Sequence, residues 1–222
     1  MKGTRCDSTV YSDWLLDALL FQNRFSDLFS EWTFRLSELL DNRLPAFCTP
    51  IRWSSDFQHG QTWFVSPLLF DADWGGLKTT THDPGSLRIL NSQLGSIYPV
   101  THSFLKGLCE LGRVKYVAFS FLPPNSLLSC HKHFNMGYRK FHCLLRDSTK
   151  CGLMHMVDHY STQGIKSTKC IKHWTHAGDW LTFDDNNYHS AWNFSEHTRP
   201  VLIIDYKPLP LLTNSNKIFR PL

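Results

Sequence analysis

The sequence predicts a mainly β fold, a jelly roll preceded by packing helices. Three observations predict it. Aromatic residues make up 14% of the chain, with 8 Trp and 16 Phe, a bias towards packed, pleated surfaces. From Lys115 onward, short apolar runs bounded by Pro, Gly, Asn or Asp follow one another without intervening helices, which favours a sandwich or barrel over a βαβ sheet. Ahead of them, one long stretch repeats apolar residues at three- and four-residue spacing.

That stretch runs from about Ser12 to Asp41. Trp14, Ala18, Phe21, Phe25, Leu28, Trp32, Leu36 and Leu39 form the apolar stripe of a helix or a pair of helices. Ser12 is the expected N-cap, and the two prolines between Arg43 and Pro50 end the pattern. Pro84-Gly85 and Gly95 punctuate the middle of the chain, and a short helix is expected from Ser103 to Leu111, stopping at Gly112. Strands are expected at Lys115–Leu122, Arg139–Arg146, Leu153–Val157, Asp179–Phe183 and Pro200–Tyr206. There is no internal repeat and no low-complexity segment. The expected organisation is a single domain over 1–222. A helical and mixed part runs to about 112, a jelly-roll core from about 113 to 208, and a tail over 209–222.

A chain of 222 residues buries a full core, and 42% apolar with 19% charged residues excludes a disordered chain, a collagen and a coiled coil. Net charge is +4 with no run of five Lys or Arg, so no nucleic-acid partner is expected. The 7 Cys include no C-x-x-C pair, which excludes zinc ribbons and thioredoxin motifs. Odd in number and scattered, they suggest reduced thiols and a cytoplasmic location. The start of the chain shows no signal peptide, and the apolar runs are too short to span a bilayer, so no membrane insertion is expected. Asn193-Phe-Ser195 is a sequon without meaning in such a compartment.

Twelve His stand out, because His is the commonest metal ligand, and most fall between residues 131 and 197. His131-Lys-His133 follows the Pro123-Pro-Asn-Ser126 turn, His142 follows on the next expected strand, and His189 lies ten residues ahead of Arg199. Two His on separate strands of a jelly roll, with an Arg downstream, is the plan of a non-haem iron oxygenase, whose metal keeps open positions for substrate and oxygen. The usual carboxylate two residues after the first His is replaced by His133. H-E-x-x-H, G-x-S-x-G, kinase and P-loop signatures are all absent, which removes the common zinc-hydrolase, serine-hydrolase and phosphoryl-transfer classes. Cys130 beside His131 does not make a nucleophile–base pair, because adjacent strand residues point to opposite faces.

The ordered set Phe119-Ser120, Pro123-Pro124, His131, Lys140-Phe-His142, Trp174-x-x-x-Gly178, Phe183-Asp184-Asp185, His189, Trp192 and Arg199 resembles the aspartyl/asparaginyl β-hydroxylase family. Tyr98-Pro-Val-Thr101 is similar to the family's C-P-x-T. The resemblance runs from about Tyr98 to Pro208, half the chain. Two departures are visible. Lys140 stands where the family usually has Arg, and the connection from His142 to Trp174 is long and holds Cys151, His155, His159, Cys170 and His173.

The resemblance implies a double-stranded β-helix core of the cupin type. It implies an Fe(II)- and 2-oxoglutarate-dependent dioxygenase that consumes molecular oxygen and hydroxylates an unactivated C–H. The expected target is the β-carbon of an Asp- or Asn-type residue in a peptide, amino acid or related metabolite, with succinate and CO2 as co-products. His131 and His189 would ligate the iron, with water in place of the missing carboxylate. Arg199 and Ser120 would hold the distal carboxylate of 2-oxoglutarate. Lys140 and His142, which alternate on one strand and so share a face, would approach its keto-acid end. Simpler roles stand beside these: a surface ion pair for Arg199, an inert strand serine for Ser120, a solvated edge lysine for Lys140. His133 is a third ligand, a substrate contact or a mere neighbour. Asp184 and Asp185 form the turn before His189 or hydrogen-bond to the site, and Trp192 packs beneath it. The alternative of another class is a catalytically silent jelly-roll module that binds a metal or ligand.

Overall fold

The computed structural model describes residues 3–5, 11–12, 24–40, 51–53, 63–71, 88–90, 94–110, 114–132, 137–161 and 164–210. In chain order the elements are β1 (Gly3–Arg5), β2 (Tyr11–Ser12), α1 (Arg24–Leu40), β3 (Ile51–Trp53), β4 (Trp63–Asp71), β5 (Arg88–Leu90), α2 (Leu94–Ile97), α3 (Pro99–Glu110), β6 (Val114–Leu122) and β7 (Ser126–His131). There follow β8 (Arg139–Leu144), β9 (Cys151–Ser161), β10 (Gly164–Trp174), β11 (Trp180–Asp184), β12 (His189–Asn193), β13 (Arg199–Tyr206) and β14 (Leu209–Pro210). The fold is mainly β, a jelly roll with a large and a small sheet. The large one runs β1-β11-β8-β13-β6-β4-β3 with β5 on β4, and the small one β10-β9-β12-β7. Every pairing is antiparallel except that of β1 with β11.

The central strands β6, β8 and β13 are buried on both faces, which is why β6 and β13 read as near-continuous apolar runs. Alternate residues serve two separate cores. Val117, Phe119, Phe121, Phe141, Cys143, Leu202 and Ile204 pack against α1 and α3, where Leu28, Trp32, Leu36, Phe104 and Leu105 supply the apolar stripe. Tyr116, Ala118, Leu122, Leu144, Val201 and Ile203 face the small sheet, meeting Leu153 and Ala191 from it.

Helix α3 starts at Pro99, earlier than the expected Ser103. Proline suits the first helical turn, and the Glu31 carboxylate of α1 accepts the Val100 and Thr101 backbone N–H groups at 2.8 Å each. Trp32 Nε1 donates to Thr101 Oγ1 at 2.7 Å, which ties the two helices together. Ser12 pairs with Leu209 in the two-stranded β2–β14 ladder, and the described part of the expected helical stretch is Arg24–Leu40. Trp14, Ala18 and Phe21 lie outside the described residues.

Strand β4 was not expected. Its sequence contains Pro67, which cannot donate to a ladder, and the pairing with β6 shifts register between Pro67 and Leu69. The long connection after His142 is a β-hairpin, with β9 and β10 paired from Cys151–Trp174 to Ser161–Gly164. No helix among the described residues is long and apolar enough to cross a membrane.

Candidate active site

The two sheets face each other across a small cavity. Ser120, His131, Lys140, His142, His189 and Arg199 all line it, so the structure brings together the six residues singled out from the sequence. Four come from the large sheet and the two His from the small one. Leu128, Leu153, Ala191 and Ile203 form the apolar part of the wall.

His131 ends β7 and His189 opens β12, directly opposite each other in the ladder. Their ring centroids are 4.2 Å apart. The register shifts between His189 and Ala191, a local bulge of the kind that re-aims a side chain. Each ring is fixed by a backbone carbonyl two residues upstream. His131 Nδ1 lies 2.7 Å from the Ser129 carbonyl and His189 Nδ1 2.9 Å from that of Asn187. A carbonyl only accepts, so Nδ1 carries a proton in both rings and each Nε2 is the nitrogen left for a ligand. Burial pushes the His189 pKa down to about 3, with the Asp185 carboxylate opposing and His131 adding to the fall. His189 is therefore held as a neutral ligand with a set tautomer, the state a divalent cation requires.

Lys140 is clamped between two buried carboxylates, at 3.3 Å from Asp185 Oδ2 and 3.0 Å from Asp205 Oδ1. Burial alone would lower its pKa, but Asp185 and Asp205 outweigh it and hold the ammonium above its usual range. Asp185 Oδ1 in turn lies 3.4 Å from His189 Nε2. Lys140 thus lines the cavity with its charge already met by carboxylates, and it is no solvated edge lysine. The neighbouring Asp184 does the turn-making: its Oδ1 accepts from the Asn186 backbone N–H at 2.9 Å and side-chain amide at 2.8 Å. Sequence reasoning underrated Asp185 and missed Asp205. The signal for Asp205 was there, an acid at alternate spacing from Arg199, Val201 and Ile203 inside an apolar strand.

Arg199 is buried at the start of β13. Its Nη1 donates to the Gly152 and Trp192 carbonyls at 2.9 and 3.1 Å, and its guanidinium lies 5.0 Å over the Trp174 ring. Burial lowers its pKa to about 10, so it stays charged. Its Nε has no hydrogen-bond partner among the described residues, and neither ring nitrogen of His142 has one. Burial, with the positive charges of Lys140 and Arg199, holds the His142 pKa well below its usual value, so the ring is neutral. Ser120 lies opposite Val201 on the inward row of β6.

Buried polar atoms without partners are rare and ask for a ligand. Here they belong to His142 and Arg199 and share one cavity with the two Nε2 nitrogens. This donor set fits a divalent cation with an organic anion beside it. Among the described residues, no group of three His, Cys, Asp or Glu forms a closed metal site. His155 pairs with His189 on the other side of β12 but is buried against Phe183, at 5.5 Å, and does not line the cavity. His133 lies outside the described residues. Trp192 is not beneath the site; its ring covers Gly152 and meets His173 on the outer face of the small sheet.

A search of curated proteins found no match to the sequence. Among solved structures, the chain is similar to an oxidoreductase of the 2OG-Fe(II) oxygenase family from Burkholderia pseudomallei, at 12% identity and TM-score 0.44, over 78% of this chain and 77% of that one. It is also similar to a predicted oxalate decarboxylase from Thermotoga maritima, at 17% identity and TM-score 0.36, over 72% of this chain and 93% of that one. A cupin domain from Bordetella pertussis matches at 17% identity and TM-score 0.27, over 43% of this chain and 82% of that one. The family model for aspartyl/asparaginyl β-hydroxylase matches residues 88–208, more than half of the sequence and every residue that lines the cavity. On that match, the chain belongs to the aspartyl/asparaginyl β-hydroxylase family.

Proposed function

We propose that the chain is an Fe(II)- and 2-oxoglutarate-dependent dioxygenase. In this reading it hydroxylates the β-carbon of an Asp- or Asn-type residue in a peptide, amino acid or related metabolite, releasing succinate and CO2. The observation that carries the reading is the convergence of the His131–His189 pair with the unpartnered polar atoms of His142 and Arg199 on one buried cavity. Iron bound there with 2-oxoglutarate and oxygen would supply the oxidising chemistry. The chain's own residues do the rest. His131 and His189 hold the metal through Nε2. Arg199 and Ser120 bind the distal carboxylate, and the two carbonyls on Nη1 fix the guanidinium so that it need not reorganise. His142 and Lys140 border the keto-acid end, where Lys140 acts first as the clamp that aims Asp185 at His189. Leu128, Leu153 and Ala191 keep the cavity poor in water.

The whole chain acts as one oxygenase domain in this proposal. Cys130, Cys143, Cys151 and Cys170 are free, which fits a reducing compartment such as the cytoplasm.

The test is an anaerobic titration of the apo-protein with Fe(II) and then 2-oxoglutarate, followed by visible absorption. A weak charge-transfer band that needs both additions, and that His189→Ala abolishes while circular dichroism is unchanged, is the expected result. No band, together with no 2-oxoglutarate-dependent succinate in air, would sink the enzyme reading and leave a catalytically silent jelly-roll binding module.

A further inference from the structure

The outer face of the small sheet carries a second feature, independent of the cavity. Six large apolar side chains are exposed among the described residues, and four of them, Leu127, Ile171, Tyr188 and Phe194, are 46–51% exposed and lie on this one face. The ladder register makes them neighbours. Leu127 pairs with Trp192 and Trp192 with Gly152, while Ile171 pairs with Met154. Met156 donates its backbone N–H to the Tyr188 carbonyl at 2.8 Å. Trp192, Met154 and Met156 are half-buried and fill the ground between the four exposed side chains. Scattered exposed apolar residues need no explanation, but a continuous field of them on one sheet does.

Charge selects the occupant. Exposed lysines stand at the edges of the field: Lys132, whose Nζ lies 4.9 Å over the Tyr188 ring; Lys169, opposite Met156; and Lys150, whose carbonyl accepts from Phe194 N–H at 3.0 Å. A second copy of the chain would bring lysines onto lysines across an isologous contact, which disfavours self-association. Met, Trp and Tyr are the residue types that adapt to and anchor a protein partner.

We infer that the outer face of β10-β9-β12-β7 docks an acidic, amphipathic segment of a protein partner, with its apolar side on Leu127, Trp192, Met154 and Ile171 and its carboxylates on Lys132, Lys150 and Lys169. The face is separate from the cavity, and the inference stands whether or not the chain is an oxygenase.

The probe is a fluorescein-labelled helical peptide of Glu and Leu with its leucines on one side, titrated with the full chain by anisotropy at low and high salt. A Lys/Leu peptide of the same pattern, the Phe34→Ser variant and phosphatidylserine vesicles serve as controls. The expected result is saturable binding of the Glu/Leu peptide that weakens with salt. It falls at least about tenfold in Leu127→Glu/Ile171→Glu, falls less in Lys132→Glu/Lys169→Glu, and is unchanged in Phe34→Ser. All substituted residues are exposed, and unchanged circular dichroism confirms the fold. Equal binding of both peptides, binding that survives Leu127→Glu/Ile171→Glu, or no binding at millimolar peptide overturns the inference. So does vesicle binding without peptide binding, which would assign the face to a membrane. Self-association in the ultracentrifuge that the same double variant abolishes would assign it to a second copy.

Discussion

Strands β6, β8 and β13 present two faces that are equally buried and chemically different. Towards α1 and α3 they show Val117, Phe119, Phe121, Phe141, Cys143, Leu202 and Ile204, all apolar. Towards the small sheet the same strands mix Tyr116, Ala118, Leu122, Leu144, Val201 and Ile203 with Ser120, Lys140, His142, Arg199 and Asp205. Burial therefore does not distinguish scaffold from site; the way burial is compensated does. The helix side is stabilised by area removed from water and by shape. The cavity side is held by charges that satisfy one another, a weaker source of stability and a stronger constraint on geometry.

The comparison is broken hardest by Lys140→Met. It leaves Asp185 and Asp205 buried without their cation, and a loss of about 3–5 kcal/mol in urea unfolding is expected at neutral pH. The sign with pH is distinctive. Protonating either carboxylate relieves the repulsion, so this variant gains stability relative to wild type as pH falls. Adding Asp205→Leu should restore part of the loss. Phe119→Ala on the other face, where the ring packs 5.6 Å from Tyr98, should cost about 3–5 kcal/mol with no such pH dependence. A Lys140→Met loss that is flat with pH would contradict the carboxylate clamp.

Two smaller effects sharpen the contrast. Asn193 is buried with its amide within 2.9 Å of the Leu122 and Pro123 carbonyls and 2.8 Å of that of His197, so it locks two connections together and is no glycan acceptor. Asn193→Ala should cost about 1–3 kcal/mol in the same assay. Least of all, His142→Leu should soften the acid sensitivity of the apo-protein. A His whose folded pKa is depressed binds its proton only on unfolding, so stability is full above the unfolded value of 6.5 and is lost as pH falls below it. The variant's stability should therefore fall less between neutral pH and pH 5, measured by thermal melts.

Much of this was legible in the chain. The runs at β6 and β13 are mostly apolar because both faces are covered, Lys140 and His142 were visible as polar residues alternating on one strand, and Ser120 and Arg199 came through the family resemblance. The His pair was visible through its spacing and neighbours. What could not be read was partnership. Lys140 and Asp205 are 65 residues apart, and nothing local announces that they meet. Asp184 and Asp185 look equivalent in sequence, yet backbone geometry gives one to the turn and the other to the cavity. Strand β4 escaped because Pro67 masks its pattern.

Gly152 shows how thin the boundary between inside and outside is. From within, its carbonyl holds the Arg199 guanidinium; from without, the Trp192 ring lies so close that an added methyl group would fall 2.4 Å from it and 2.5 Å from the Lys172 carbonyl. At this point a single peptide plane stands between the indole and the guanidinium. Whatever presses on the indole from the solvent side reaches the buried cation through the Gly152 and Trp192 carbonyls. A residue with no side chain has become the place where the surface of the molecule and its interior are the same object.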